Sequence, residues 1–208
     1  MDDPGPGNLI VKLVVLFILI LVNAFFAMSE IAVISLNESK LRKMAEEGHK
    51  KAQKVLRLTA DSSAFLSTIQ IGVTLAGFLT SASAADNFSE PLAATLAGWF
   101  HVTDGAALSF LSAASLVVVT IIISYFSLVL GELVPKRIAM QRAETVSFRV
   151  VGILLGVKAV MRPFIWFLSV STNLVGRLFG LTPGSGQESV TEEEIRLMVD
   201  AGEETGVI

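Results

Sequence analysis

Residues 9–34 read LIVKLVVLFILILVNAFFAMSEIAVI, and this stretch decides the class of fold. Its polar residues are Lys12, Asn23, Ser29 and Glu30. A helix needs roughly 20 mainly apolar residues to cross the hydrocarbon core of a bilayer. Residues 1–4 are acidic where a secretory signal peptide is basic, and the apolar stretch is longer than the apolar region of such a peptide. We therefore interpret 9–34 as a permanent membrane span.

The composition of the whole chain is also that of a membrane protein. Of its 208 residues, 52% are apolar and 17% are charged, and the mean hydropathy is +0.67. The net charge of −3 and the lack of a basic stripe argue against a nucleic-acid partner. Because the chain has no cysteine, a bound metal would be held mainly by oxygen ligands, which indicates a hard cation.

Two further apolar stretches, at about 61–85 and 105–133, predict two more spans. Between the first two spans, basic and apolar residues alternate at helical spacing, which predicts two short amphipathic helices separated by Gly48. The basic residues are Lys40, Arg42, Lys43, Lys50, Lys51, Lys54 and Arg57. Residues 86–104 contain no Lys or Arg. The positive-inside rule therefore places the amino terminus and 86–104 outside, and the short helices in the cytoplasm.

Residues 145–181 are apolar but are interrupted by Lys158, Arg162 and Pro163. A hairpin of two short spans would place Lys158 and Arg162 at the outer face, against the charge rule. A helix that is kinked at Pro163 and lies along the inner interface keeps both cations at cytoplasmic headgroups. We prefer this second interpretation, a juxtamembrane belt helix.

The last segment, 182–208, is interpreted as a linker followed by a charged helix. Residues 182–186 are typical of a linker, and 191–194 fit a capping box that opens a helix. The chain stops at Ile208 without a natural-looking terminus, so we expect a further cytosolic domain to follow. The predicted fold is an all-α integral membrane domain over 1–181, with three transmembrane helices, a kinked juxtamembrane belt helix and short cytosolic helices.

Each predicted span carries a row of polar or small residues on one face. The rows are Asn23, Ala27 and Glu30 on the first span; Ser63, Ser67, Gln70, Thr74, Gly77 and Ser81 on the second; and Thr120, Ser124, Ser127 and Gly131, leading to Glu132, on the third. Such rows allow close packing of membrane helices. Because polar groups are costly in hydrocarbon, such a row is also a candidate binding site.

Glu132 and Pro135 make the end of the third span a candidate ion site. In an α-helix the amide of residue 135 would bond the Gly131 carbonyl, but proline has no amide. A free carbonyl beside a carboxylate offers oxygen ligands of the kind that hard cations take. The alternatives are a salt bridge from Glu132 to Lys136 and an ordinary helix stop. For Glu30, a position at the membrane interface is an equally compatible reading.

Three motifs resemble the transmembrane (DUF21) domain of the CorC/CNNM family of divalent-cation transporters, whose cargo is magnesium. They are NAFFAMSE at 23–30, FLSTIQIGVT at 65–74 and GELVPK at 131–136. The segment VTEEEI at 190–195 is similar to the helix that leads into the paired CBS domains of this family. The matches follow the family's order and together cover almost the whole chain.

The resemblance implies a multi-pass protein of the plasma or inner membrane, with its amino terminus outside and its carboxyl terminus in the cytoplasm. The implied partners are the lipid bilayer, a second copy that forms a homodimer through the membrane domain, and the chain's own cytosolic CBS domains. The implied activity is export of Mg²⁺ linked to entry of Na⁺.

The motif match assigns Ser29, Gly131 and Glu132 to the ion site. It leaves the second-helix ligand open, because valine and threonine follow Gly72 where many relatives have asparagine. Gln70 and Thr74 are our candidates on that helix, and Asn23 is a further candidate on the first.

We therefore expect a secondary transporter that works by alternating access around a fixed site. The alternative is a membrane-anchored cation sensor or regulatory domain without transport. An enzyme is not expected, because the sequence has no HExxH or GxSxG motif and both histidines fall in predicted loops. The residues alone leave open the transport direction, the coupling ion and the preference for Mg²⁺ over Mn²⁺ or Co²⁺.

Overall fold

The structure, a computed structural model, describes residues 6–179 and Arg196. The chain divides into two compact units, Met1–Arg162 and Pro163–Ile208. All regular structure among the described residues is helical, which confirms the predicted all-α class. The elements are α1 (Pro6–Ile34), α2 (Glu38–Glu46), α3 (Lys50–Thr59), α4 (Ser62–Phe100), α5 (Gly105–Leu128), a π turn (Val129–Leu133), α6 (Val134–Gln141) and α7 (Ala143–Leu178).

Among the described residues, four helical segments are long and apolar enough to cross a membrane, where we predicted three spans and a belt helix. They are Leu9–Ile34, Ser62–Phe100, Gly105–Gln141 and Ala143–Leu178. The fourth is α7, which continues as a helix through Pro163. Its length and composition fit a further span as well as the predicted belt. The predicted linker and helix at 182–208 lie outside the described residues, except for Arg196, which is helical.

The first span and the two short helices agree with the prediction. α1 ends at Ile34 as expected. Asn37 caps α2, because its side chain accepts the Lys40 N–H at 2.9 Å. Gly48 separates α2 from α3 with a φ of +88°, the left-handed region that favours glycine.

The second span is longer than predicted, because α4 continues to Phe100 and only residues 101–104 connect it to α5. The loop that we predicted over 86–104 is therefore wrong. Asn87, Ser89 and Thr95 each donate a side-chain hydrogen bond to the carbonyl four residues earlier, at 2.5–2.8 Å. Residues that suggested a loop thus satisfy their polar groups on the helix itself. The helix ends at His101, which has a φ of +52°.

The third span also departs from a plain helix. We predicted it over 105–133, but α5 gives way to the π turn at Val129 and the helix continues as α6 to Gln141. In the π turn the Val134 N–H donates to the Val129 carbonyl, five residues back. Pro135 lies in the first turn of α6, where a missing amide is tolerated.

The helices of the first unit pack around α1. α4 contacts both α1 and α5, while the π turn and α6 contact α1. One apolar cluster joins the end of α1 to the short helices and to the start of α7, with Ala32, Val55, Leu58 and Leu154 at most 1% exposed. A smaller cluster of Leu16, Ala84 and Val119 joins α1, α4 and α5.

Polar contacts also tie α2 and α3 to the first half of α7. Lys40 pairs with Glu144 at 2.5 Å, and the rings of His49 and Phe148 lie 4.9 Å apart. The Lys158 Nζ donates to the Leu58 carbonyl at 3.4 Å, at the carboxyl end of α3. A cation there also interacts favourably with the helix dipole. The start of α7 is therefore fixed to the short helices.

Gly72 marks the closest approach of α4 to α1. A Cβ atom at this position would lie 2.6 Å from three atoms of the Phe26 ring, and Phe26 is buried. We expect Gly72→Ala to lower the free energy of unfolding by about 1–3 kcal/mol through overpacking. Thermal unfolding in detergent measures this. Gly98→Ala on the same helix is the matched control, since a Cβ at Gly98 meets no described atom within 4 Å. Equal melting temperatures for the two variants would contradict the packing.

Candidate ion site

A cavity of about 460 Å³ lies between α1, α4, α5 and the π turn. Its lining residues are Asn23, Val73, Thr74, Gly77, Phe78, Ser81, Ser124, Ser127, Leu128 and Glu132. All three predicted polar rows therefore contribute to one wall. The packing of α4 against α1 and α5 explains the convergence, because a row that repeats at helical spacing stays on one face along the helix.

The structure brings three of the six predicted ligand residues, Asn23, Thr74 and Glu132, into the lining of this cavity. The other three, Ser29, Gln70 and Gly131, do not line it. Ser81, Ser124 and Ser127 also line the cavity, although we had placed them only in the polar rows and not among the ligands. Their helical spacing relative to Thr74 and Glu132 was the signal that could have selected them.

Asn23 has an unsatisfied side chain. The residue is 5% exposed, and its Oδ1 atom is buried without a hydrogen-bond partner among the described residues. A buried acceptor without a partner costs about 1–3 kcal/mol. In the part of the chain that the structure describes, the other such atom is Ser115 Oγ, which belongs to a residue outside the cavity lining. Asn23 is therefore a cavity-lining residue whose side-chain oxygen still lacks a partner.

Gly131 is buried directly against Asn23. A Cβ atom at Gly131 would lie 2.9 Å from Asn23 Nδ2 and 3.4 Å from the Ile20 carbonyl oxygen. The residue does not itself line the cavity. Its missing side chain is what allows the Asn23 amide to stay beside the π turn.

The π turn changes the carbonyl pairing that we predicted for Pro135. In an α-helix the proline would stand opposite the Gly131 carbonyl, but in the register of the Val134–Val129 bond it stands opposite Leu130. A π turn contains one residue more than an α turn, so one carbonyl has no amide of its own, and Pro135 removes a second amide. Backbone oxygens within 130–132 are thus left without helical partners next to Glu132.

Glu132 forms the salt bridge that was the alternative to an ion site. Its Oε1 accepts a hydrogen bond from Lys136 Nζ at 2.8 Å. The same Nζ lies 3.6 Å from Glu30 Oε2. Glu30 and Lys136 do not line the cavity, and no motif or spacing in the sequence connects the two. Glu132 therefore lines the cavity, and its carboxylate pairs with Lys136, which does not line it.

Ser29 and Gln70, two of the predicted ligands, have their side chains in other contacts. Ser29 is fully buried, and its hydroxyl donates to the Phe25 carbonyl at 2.6 Å, so its proton is used within α1. Gln70 is exposed, and its Nε2 lies 3.4 Å from Thr74 Oγ1. Neither residue lines the cavity.

The donors around the cavity are mostly neutral oxygens. Within residues 6–179 and at Arg196, no three His, Cys, Asp or Glu side chains group as a metal site. The side chains that line the cavity offer a cation one carboxylate, one amide and several hydroxyls. Ligands of this kind suit hard cations that keep part of their water shell, as Mg²⁺ does.

Comparison with known proteins shows the family of this chain. The cyclin M transmembrane N-terminal domain matches residues 14–208. The UPF0053 protein sll0260 of Synechocystis sp. is 37% identical over 95% of this chain and 43% of its own length. The UPF0053 protein YhdT of Bacillus subtilis is 32% identical over 100% of this chain and 43% of its own length. The polyamine export protein of Escherichia coli K12 is 30% identical over 95% of this chain and 42% of its own length. This chain thus spans less than half the length of these relatives.

Proposed function

Because this chain belongs to the cyclin M (CNNM) transmembrane-domain family, we propose that it is the membrane domain of a transporter that exports Mg²⁺. In this proposal Na⁺ entry drives the export, and the site between α1, α4 and α5 alternates between the two faces of the membrane. Na⁺ and the direction of transport come from the family resemblance. The residues that line the cavity support the cation site.

The buried and unpartnered Asn23 Oδ1 carries the proposal. Asn23 itself lines the cavity, together with Thr74, Ser81, Ser124, Ser127 and Glu132. A bound cation would offset the cost of leaving that acceptor unsatisfied. Mg²⁺ gives up its water reluctantly, and a cavity of about 460 Å³ has room for an ion with several waters, each of which fills about 30 Å³.

A polyamine is a second candidate cargo, and one observation favours it. A relative that is 30% identical over 95% of this chain is named a polyamine export protein. The ammonium groups of a polyamine could donate to the same oxygens, while Val73, Phe78 and Leu128 in the lining could contact its methylene groups. The carboxylate of Glu132 serves both cargoes, so only a direct comparison separates them.

Proteoliposomes that contain the purified protein test the function. We expect a magnesium-sensitive dye to report flux that depends on a Na⁺ gradient, and radiolabelled spermidine to show no uptake above empty vesicles. Spermidine flux without Mg²⁺ flux would assign the polyamine cargo instead. Binding of Mg²⁺ without flux of either cargo would support the cation sensor, provided that the chain with its cytosolic domains also gives none.

We propose a homodimer formed through the membrane domain. Ser81 and Ser124 are exposed in the single chain, although both lie on long apolar helices and line the cavity. Small and hydroxyl residues favour helix association in membranes. A second copy that packs on this face would shield the cavity from lipid. A bifunctional crosslinker applied to native membranes should give a band of twice the monomer mass.

The topology can be tested by labelling, since the chain has no native cysteine. We expect Thr103→Cys to react with an impermeant thiol reagent from outside, and Lys51→Cys to react only after permeabilisation, because the basic residues of α2 and α3 favour the cytoplasm. Both positions are exposed, and neither side chain caps a helix. If both cysteines were labelled from the same side, the proposed orientation would be wrong.

The first half of α7 supports the belt interpretation. Val146, Val150 and Leu154 are buried in the cluster that holds the two short helices, and Glu144 pairs with Lys40. Since α2 and α3 are amphipathic and rich in charge, they belong outside the hydrocarbon, and the segment fixed to them belongs at the same depth. Arg162→Cys should therefore stay unlabelled from outside. Labelling of this cysteine from outside would show that α7 crosses the membrane.

A further inference from the structure

One ammonium group serves two carboxylates at the end of the third span. Lys136 Nζ lies 2.8 Å from Glu132 Oε1 and 3.6 Å from Glu30 Oε2. The Lys136, Glu30 and Glu132 side chains are 28%, 28% and 33% exposed, so all three are largely out of water. The three groups sum to one negative charge. Which carboxylate the ammonium neutralises decides where that charge resides.

The location of the charge matters because the two carboxylates have different surroundings. Glu132 lines the cavity, whereas Glu30 does not. While Lys136 holds Glu132, an incoming cation meets neutral oxygens and a carboxylate that is already paired. A cation that binds Glu132 also meets the ammonium at close range, where like charges repel strongly in a medium of low dielectric. Cargo and Lys136 therefore compete for one carboxylate.

We propose that Lys136 is a resident counter-cation of the ion site, which pairs with Glu132 when the site is empty and passes to Glu30 when the cargo binds. The proposal rests on the proposed function of the cavity. Both carboxylates are already within salt-bridge distance of Nζ, so the transfer needs only side-chain rotation. Lysine suits this role, since its ammonium ends a flexible stem and has three donors.

Glu30 is then a positioning residue and not a ligand. Its carboxylate accepts the displaced ammonium, so that binding of cargo leaves no unpaired charge in a half-buried place, which would be costly. The competition also favours divalent cargo. A monovalent cation gains about half the Coulomb energy of a divalent one from the same carboxylate, and is therefore less able to displace Lys136.

The test is Mg²⁺ binding to the purified protein, measured by isothermal titration calorimetry at several Na⁺ concentrations. We expect Lys136→Met to raise Mg²⁺ affinity about tenfold, and to make binding more sensitive to Na⁺, because the competitor is gone. We expect Glu30→Gln to lower affinity about tenfold, because the displaced ammonium loses its second partner. In the double variant the Glu30 substitution should have no further effect, since no ammonium remains to be received.

Lys136→Arg is the matched control, because it keeps the charge and so keeps the dependence on Glu30. An equal loss from Glu30→Gln with and without Lys136 would overturn the transfer, since Glu30 would then act on the cargo directly. Unchanged or weaker binding by Lys136→Met, confirmed with Lys136→Gln, would overturn the competition. Failure of the proposed function looks different: the wild type would bind no Mg²⁺, or Glu132→Gln would bind as the wild type does.

Discussion

Glu132→Gln is expected to reduce Mg²⁺ flux in proteoliposomes by about 100-fold or more while leaving a folded protein. Glutamine keeps the volume and one oxygen but removes the charge that offsets the partial dehydration of a divalent cation. Glu132 supplies the carboxylate in the cavity lining, whose other oxygen donors belong to Asn23, Thr74 and the serines. Dye-reported flux, together with size-exclusion chromatography and thermal unfolding, measures both parts of the expectation.

If the salt bridge between Glu132 and Lys136 has only a structural role, the opposite result is expected. An isolated pair near an interface stabilises by about 0–1 kcal/mol, so flux would survive its loss. Glu38→Gln is the matched control, because Glu38 also pairs with a cation four residues later, Arg42, at 2.6 Å. Flux at the wild-type rate in both variants would return Glu132 to a structural role and the polar rows to helix packing.

Gly131→Ala is the second change with a large expected effect. The new Cβ would lie 2.9 Å from Asn23 Nδ2, so the amide of this cavity-lining residue must move from its present position. We expect Mg²⁺ affinity to fall about tenfold and the free energy of unfolding to fall by about 1–3 kcal/mol. Calorimetry and thermal unfolding measure the two effects. A fall in the free energy of unfolding would be informative, because alanine is otherwise favoured over glycine in a helix by about 1 kcal/mol.

Two companion variants separate the contact from the general effect of alanine. A Cβ at Gly152 meets no described atom within 4 Å, so Gly152→Ala should be neutral or stabilising. Adding Asn23→Ala to Gly131→Ala removes the clash, and should recover stability without recovering Mg²⁺ binding. Recovery of binding as well would show that the Asn23 oxygen is not a ligand.

Much of the fold and part of the site follow from the sequence. The apolar lengths defined α1, and the alternation of basic and apolar residues defined α2 and α3. The polar rows predicted one shared wall because helical periodicity fixes which residues share a face, and Asn23, Thr74 and Glu132 do meet there. The family identified from the three motifs is confirmed by the match over 14–208. That the chain is not an enzyme and forms a homodimer stays a prediction.

The remaining features depend on contacts that a sequence pattern does not specify. Acidic residues at 86–90 resembled a loop, but the hydroxyl and amide groups around them bond back to the helix and let α4 continue. Ser29 fits the family motif, yet its hydroxyl is bonded to Phe25 within α1. The approach of Lys136 to Glu30 joins residues that are more than 100 positions apart along the chain, so no local spacing could indicate it.

The π turn also sets the helical phase of everything that follows it. An α-helix advances by about 100° per residue, so the one extra residue in Val129–Leu133 rotates α6 by roughly that angle relative to α5. In this phase Pro135 and Ala139 are buried, and Lys136 reaches Glu30 on α1. Deleting one residue from the turn would change the length of the span by only about 1.5 Å. It would nevertheless turn Lys136 away from Glu30, so the turn acts as an angular spacer between the two halves of the helix.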